Sequence, residues 1–239
     1  MEAISLKAQE LFTIGGFPFT NGFFMTLVVS ALLIVFSFVM REKISLIPGK
    51  LQGALEMGME WLLDVMHATL GSVQAAEKYF PLIATIFIFI LCSNVLGIFP
   101  GVGSIHLGET PLFRSPAADL NFTLAFAIIS VVMTNILGAF AVGILPHISK
   151  FINFKNPIKF FIGILEMVSE LAKIISLSFR LFGNVFAGEV LLTIVAFLAP
   201  YFIPLPFLFL ELFVGLIQAF LFAMLTLVSI SLHTAVHEH

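Results

Sequence analysis

Arg180, Asn184 and Glu189 stand inside "SLSFRLFGNVFAGEVLL", residues 176–192, a stretch otherwise suited to lipid, and Glu211 and Gln218 interrupt a second apolar run shortly after it. A guanidinium, with a pKa above about 12, does not release its proton at any working pH. Arg180 can therefore act as a fixed charge, an electrostatic partner or a gate, but not as a relay. The carboxyl groups of Glu189 and Glu211 can take up and give up protons, which suits a proton path. A charge at the bilayer centre costs from about 3 to more than 10 kcal/mol, so these groups must face protein or water.

Their spacing says how they face it. Glu166, Ser169, Lys173, Ser176, Arg180 and Asn184 follow one another at steps of three or four residues, about one helical turn each, and form a single polar stripe. Snorkelling to the headgroups serves Lys173 or Glu166; Arg180 is too far from both helix ends. Glu189, nine residues on, lies about 180° round the helix from Arg180. Glu211 and Gln218, seven residues apart, share a face of the next helix and can meet Glu189 behind the stripe, since Pro200, Pro204 and Pro206 turn the chain back between them. Gly183 and Ala187 on one helix, with Gly215, Ala219 and Ala223 on the other, offer a close backbone approach.

The elements that carry these residues follow from composition. Of 239 residues 60% are hydrophobic and 10% charged, with a mean hydropathy of +1.13, which describes an all-α membrane protein and not a soluble domain. Residues 1–239 read as one integral membrane domain. Runs long enough for roughly 30 Å of hydrocarbon fall at about 23–40, 80–99, 120–145, 158–198 and 207–233. Pro81 is expected in the first turn of the second, "ADLN" at the start of the third, and Pro146 at its end. The fourth, of about 41 residues, is roughly 61 Å long at 1.5 Å per residue. It must tilt, bend or leave the hydrocarbon, and with the fifth it makes a long, steeply tilted hairpin.

Residues 50–72 are too polar to cross. Leu51, Leu55, Leu62, Met66 and Leu70 share one side and Glu56, Glu60, Asp64 and His67 another, the pattern of an interfacial amphipathic helix, with Trp61 suited to that depth. The N-terminal "MEAISLKAQELFTIGG" does not read as a cleaved signal peptide. Cys92, the lone cysteine, excludes an internal disulfide and reads as a small apolar residue. No dense basic cluster supports nucleic-acid binding.

Five crossings place Arg41, Lys43, Lys50, Lys78, Lys150, Lys155 and Lys159 on one side and Lys7 and Arg114 on the other. The positive-inside bias then puts the N-terminus outside and the C-terminus in the cytoplasm. In the tail, His233 and His237 are spaced i, i+4, but a frayed, solvated helix end is the expectation there, and no metal site is assigned.

"SLSFRLFGNVFAGE" together with "LIQAFLFAMLTLVSISL" resembles the signature of subunit a of F-type ATP synthases, the membrane stator of a rotary motor; "SNVLGIFPG" and "ADLNFTLAFAI" resemble the second and third spans of bacterial members. The resemblance runs from about Phe80 to the end and is densest from Ile175 to Leu227. It implies that Arg180 is the family's indispensable arginine, facing the carboxylate of each passing c subunit. It implies further that Asn184, Glu189, Glu211 and Gln218 belong to the half-channel from the outer side, and Glu166 and Ser176 to the cytoplasmic one. The partners it implies are the c-subunit ring, b-type peripheral stalk subunits and the rest of the ATP synthase complex, in the bacterial plasma (inner) membrane, with no cofactor. Some bacterial relatives have histidine at the position of Glu211 and an acid at that of Gly97. The chain has no Walker-type phosphate loop and does not itself handle nucleotide. An ion-coupled secondary transporter is the alternative, although no repeated half is present.

Overall fold

The computed structural model describes residues 9–234 except 15, 100–105, 108–109 and 152–156. Seven α-helices carry the described fold: α1 (Asn21–Lys43), α2 (Lys50–Leu70), α3 (Val73–Ile98), α4 (Leu120–Val142), α5 (Ile144–Phe151), α6 (Pro157–Leu198) and α7 (Pro204–Thr234). Five of them, α1, α3, α4, α6 and α7, are long and apolar enough to cross a membrane. These are the five runs expected from hydropathy, and α2 is the amphipathic helix expected between the first two.

Local signals set most of the boundaries. Thr20 caps α1 by accepting from the Phe23 N–H at 3.2 Å, and Asp119 caps α4 by accepting from Asn121 at 2.9 Å, the role foreseen for "ADLN". Two expectations about proline fail. Ser72 caps α3 and starts it at Val73, so Pro81 lies inside the helix and not in its first turn. Its missing N–H leaves one carbonyl of the ladder unbonded, a loss that surrounding helices make tolerable in such segments. At the other end of α4 it is Gly143, at φ 102°, that stops the helix at Val142; Pro146 sits in the first turn of α5, where it lacks nothing.

The sequence had α5 as part of a loop, and it missed two small antiparallel hairpins, β1 (Glu10–Ile14) with β2 (Phe17–Thr20) and β3 (His106–Leu107) with β4 (Thr110–Pro111). Asn21, buried at the start of α1, donates to the Pro111 carbonyl at 3.3 Å and so ties the first hairpin to the second.

The bundle is organised around α7, which packs on α3, α4 and α6, while α4 also packs on α6 and α1 lies outside against α3. One core joins Ile86 and Ile90 to Leu177, Leu181 and Phe222, and a second joins Leu62 and Met66 of α2 to Ile83, Leu227 and Ile230. Leu62 and Met66 are thus on the buried side of α2 as expected, with Glu56, Glu60, Asp64 and His67 exposed; Leu51, assigned to the apolar side, is exposed as well. Trp61 packs on Phe220 with ring centroids 5.3 Å apart. Two buried hydroxyl pairs cross the bundle, Thr123 with Ser178 at 3.0 Å and Ser130 with Thr226 at 2.7 Å. The helix α6 runs unbroken for 42 residues, about 63 Å at 1.5 Å per residue, and with α7 makes the C-terminal hairpin.

Candidate functional site

The single long helix fixes the phase of every polar group on α6. Ser169, Ser176, Arg180 and Asn184 are all exposed on one outward face, while Leu177, Leu181 and Val185 point into the bundle. The Arg180 Nη2 donates to Ser176 Oγ, one turn earlier, at 3.1 Å, and no carboxylate among the described residues pairs with it. Nothing among the described residues neutralises the guanidinium.

Glu189 faces the other way. Its Oε2 lies 3.8 Å from Nε of Arg114, and the backbone N–H of Ser115 donates to its carboxylate. Arg114 had been read as an outer-loop charge; its side chain is 10% exposed, folded onto α6. Glu211 of α7 meets α6 at the same level, because residue 188 is glycine. A Cβ there would stand 2.8 Å from Glu211 Oε1, so any side chain at 188 would push the carboxylate from its place against the backbone beside Glu189. The close approach expected at Gly183 and Ala187 is therefore made at Gly188 instead: a Cβ at Gly183 meets nothing within 4 Å, and Ala187 is exposed. On α7, Gly215, Ala219 and Ala223 are buried, but Gly215 lies against Asn94 of α3 and not against α6 as expected.

Gln218 is also buried, one turn beyond Gly215, whose carbonyl accepts from Asn94 Nδ2 at 2.9 Å. Around this junction several polar atoms are buried without a hydrogen-bond partner among the described residues: Ser93 Oγ, Asn94 Oδ1, Ser115 Oγ and Glu211 Oε2. Buried polar groups are ordinarily satisfied, so such a cluster suits bound water. Sequence reasoning missed Asn94, Ser115 and Arg114. "SNVLG" and "FRSP" carry polar residues at the lipid boundary, where solvation is an adequate explanation, and only the docking of α3 and the loop onto α6 and α7 reveals otherwise.

At the opposite end of α6 the structure gathers residues that the stripe did not include around two that it did, Glu166 and Lys173. Glu170, ten residues before Arg180 and so about 80° off the stripe, is buried. Its Oε1 accepts from Lys173 Nζ at 2.6 Å and its Oε2 from Asn135 Nδ2 at 3.1 Å. With its amide nitrogen so used, Asn135 accepts through Oδ1 from His147 Nε2 at 3.2 Å. His233, expected as a solvated helix end, is 3% exposed and places Nε2 3.3 Å from Glu170 Oε1; His237 lies outside the described residues. Glu166, one turn before Glu170, is half-buried at the same level.

Five membrane-length apolar helices with ionisable groups distributed along the last two define a multi-pass membrane protein. The chain belongs to the ATP synthase A chain family, whose model matches residues 23–231. It is similar to ATP synthase subunit a of Campylobacter concisus, 37% identical over 224 residues that cover 92% of each chain. ATP synthase subunit a of Moorella thermoacetica is 34% identical over 234 residues, 98% of this chain and 99% of the relative, and that of a Campylobacter jejuni strain is 36% identical over 219.

Proposed function

We propose that this chain is the stator subunit of an F-type ATP synthase through which ions load and unload the rotor, and that it binds no nucleotide itself. The observation that carries this reading is the division of labour on α6. Arg180 is presented outward with no counter-charge among the described residues, while Glu189, nine residues on, is turned inward beside Glu211.

Protons from the outer side pass the polar junction of Asn94, Ser115 and Gln218 to Glu211 and Glu189 and, near Asn184, neutralise a carboxylate on the c-subunit ring. The neutral carboxyl can then rotate into lipid, because the cost of a charge there has been removed. After nearly a full turn it meets the second half-channel, past Ser176 and Glu166, and loses its proton to the cytoplasm. Arg180 stands between the two paths. Its permanent charge attracts the ionised rotor carboxylate, favours release of its proton and repels any proton that would pass directly between the half-channels. A membrane potential supplies about 2.3 kcal/mol per charge per 100 mV, so several translocations sustain one nucleotide synthesis step on the partner enzyme. The b-type stalk holds the subunit against rotation, the N-terminus lies outside and the C-terminus in the cytoplasm of a bacterial plasma membrane.

Arg180→Ala is expected to abolish ATP-driven proton pumping in inverted membrane vesicles while the complex still assembles. Undiminished, coupled pumping by that variant refutes the gate.

A further inference from the structure

Where α6 begins and α7 ends, three side chains of ligand type converge: Glu166 and Glu170, one turn apart on α6, and His233 of α7. Each brings one donor atom into a space in which all three atoms lie within 4.8 Å of one another. The Ser229 carbonyl is 2.7 Å from His233 Nδ1. A carbonyl only accepts, so Nδ1 carries the ring proton, and in the neutral ring the Nε2 lone pair points into the cluster. Nε2 is buried with no hydrogen-bond partner among the described residues, and its side chain is 2% exposed. A histidine whose second nitrogen is anchored on a backbone carbonyl is oriented as metal-ligating histidines are.

The distances favour a small cation. Nε2 and Glu170 Oε1 are 3.3 Å apart; bonds of about 2.0–2.1 Å from zinc to nitrogen and oxygen give a tetrahedral edge of about 3.3 Å. Asn135 steadies the other oxygen of Glu170 at 3.1 Å. One imidazole with two carboxylates suits Zn2+ better than Mg2+ or Ca2+, which prefer oxygen ligands alone.

We propose that Glu166, Glu170 and His233 form a binding site for a divalent transition-metal cation of the Zn2+ class, with Lys173 as its tethered competitor. In the metal-free state the Lys173 ammonium, 2.6 Å from Glu170 Oε1, supplies the positive charge. That side chain is 29% exposed and long, so it can leave for water when a cation arrives. Glu166 closes the site by turning towards Glu170, and a water takes the fourth position. Zinc thereby clamps α6 to α7. It also withdraws Glu166 from the cytoplasmic path, a consequence that rests on the functional reading above, whereas the binding itself does not.

The intact purified complex, equilibrated with micromolar Zn2+ in excess Mg2+, tests this by metal content per complex. The wild type is expected to retain one zinc more than Glu170→Gln or His233→Gln, and Lys173→Met to bind it severalfold more tightly. Equal zinc content in wild type and both variants overturns the site. Should neither of those variants assemble, unchanged zinc affinity in Lys173→Met overturns it. Zinc is further expected to slow pumping in inverted vesicles, each variant measured against its own zinc-free rate. Site-specific binding without slowing upholds the site and refutes the role given to Glu166.

Discussion

Early on α6, Glu170 and Lys173 lie 2.6 Å apart and are tied to α4 through Asn135 and set against His233 of α7. Half-way along the same helix, Arg180 leaves the surface of the subunit bonded to Ser176 and, among the described residues, to no carboxylate. Both regions put a basic side chain on a helix of membrane length, yet among the described residues a carboxylate answers one and not the other. A charge paired and hydrogen-bonded inside the subunit holds neighbouring helices in place. A charge left open, at a cost the bilayer makes large, is available to a group on another molecule.

The largest effect that can break this contrast comes from removing the same charge in the two places. Arg180→Gln is expected to reduce translocation to the leak level, whereas Lys173→Gln retains more than half of it and lowers the melting temperature of the complex. Equal losses in vesicle pumping assays would erase the distinction. Next comes the level of the carboxylates. Gly188→Val drives a side chain into Glu211 and is expected to slow translocation about tenfold, equivalent to about 1.4 kcal/mol on the barrier, with the amount of assembled complex unchanged.

Between the two regions, the Ser130–Thr226 hydroxyl pair holds α4 on α7. A double-mutant cycle with alanine at both positions is expected to return a coupling of about 0.6 kcal/mol in denaturation, the usual worth of such a bond in a membrane. The smallest effect is at α5. Burial above all, with the Lys150 charge adding to it, holds the His147 imidazole below its ordinary value. A lowered value means that the fold favours the neutral ring. Its contribution is therefore complete above a pH of about 6.5 and is lost as pH falls towards the lower folded value. Protection of the α5 amides, measured relative to the intrinsic exchange rate at each pH, should fall on acidification in the wild type and much less in His147→Gln.

The spans were legible because length and hydropathy decide them, and the outward stripe was legible at Ser169, Ser176, Arg180 and Asn184 because a single helix keeps its 3.6-residue phase, whereas Glu166 and Lys173 of the same stripe are half-buried beside Glu170. What could not be read was how neighbouring helices rotate onto one another. Glu170 differs from Ser169 by one position, and only the docking of α4 and α7 makes it the buried member. Gly188 replaces Gly183 as the point of contact for the same reason. His233 looked like the start of a frayed tail, because nothing in "SLHTAVHEH" announces a carboxylate 63 residues earlier. Pro81 misled in another way: the capping serine at position 72 outweighed the usual preference of proline for a helix start.

The exposed face of α6 also bears on how such a molecule is made. If the proposed function holds, a newly inserted copy still lacking its rotor must leave Ser176, Arg180 and Asn184 against acyl chains or drag headgroups and water inward to reach them. Either state is uncomfortable, so the orphan chain carries its own mark of incompleteness, which docking erases. Timing of assembly and disposal of unmatched copies can both be read from that one strip of surface.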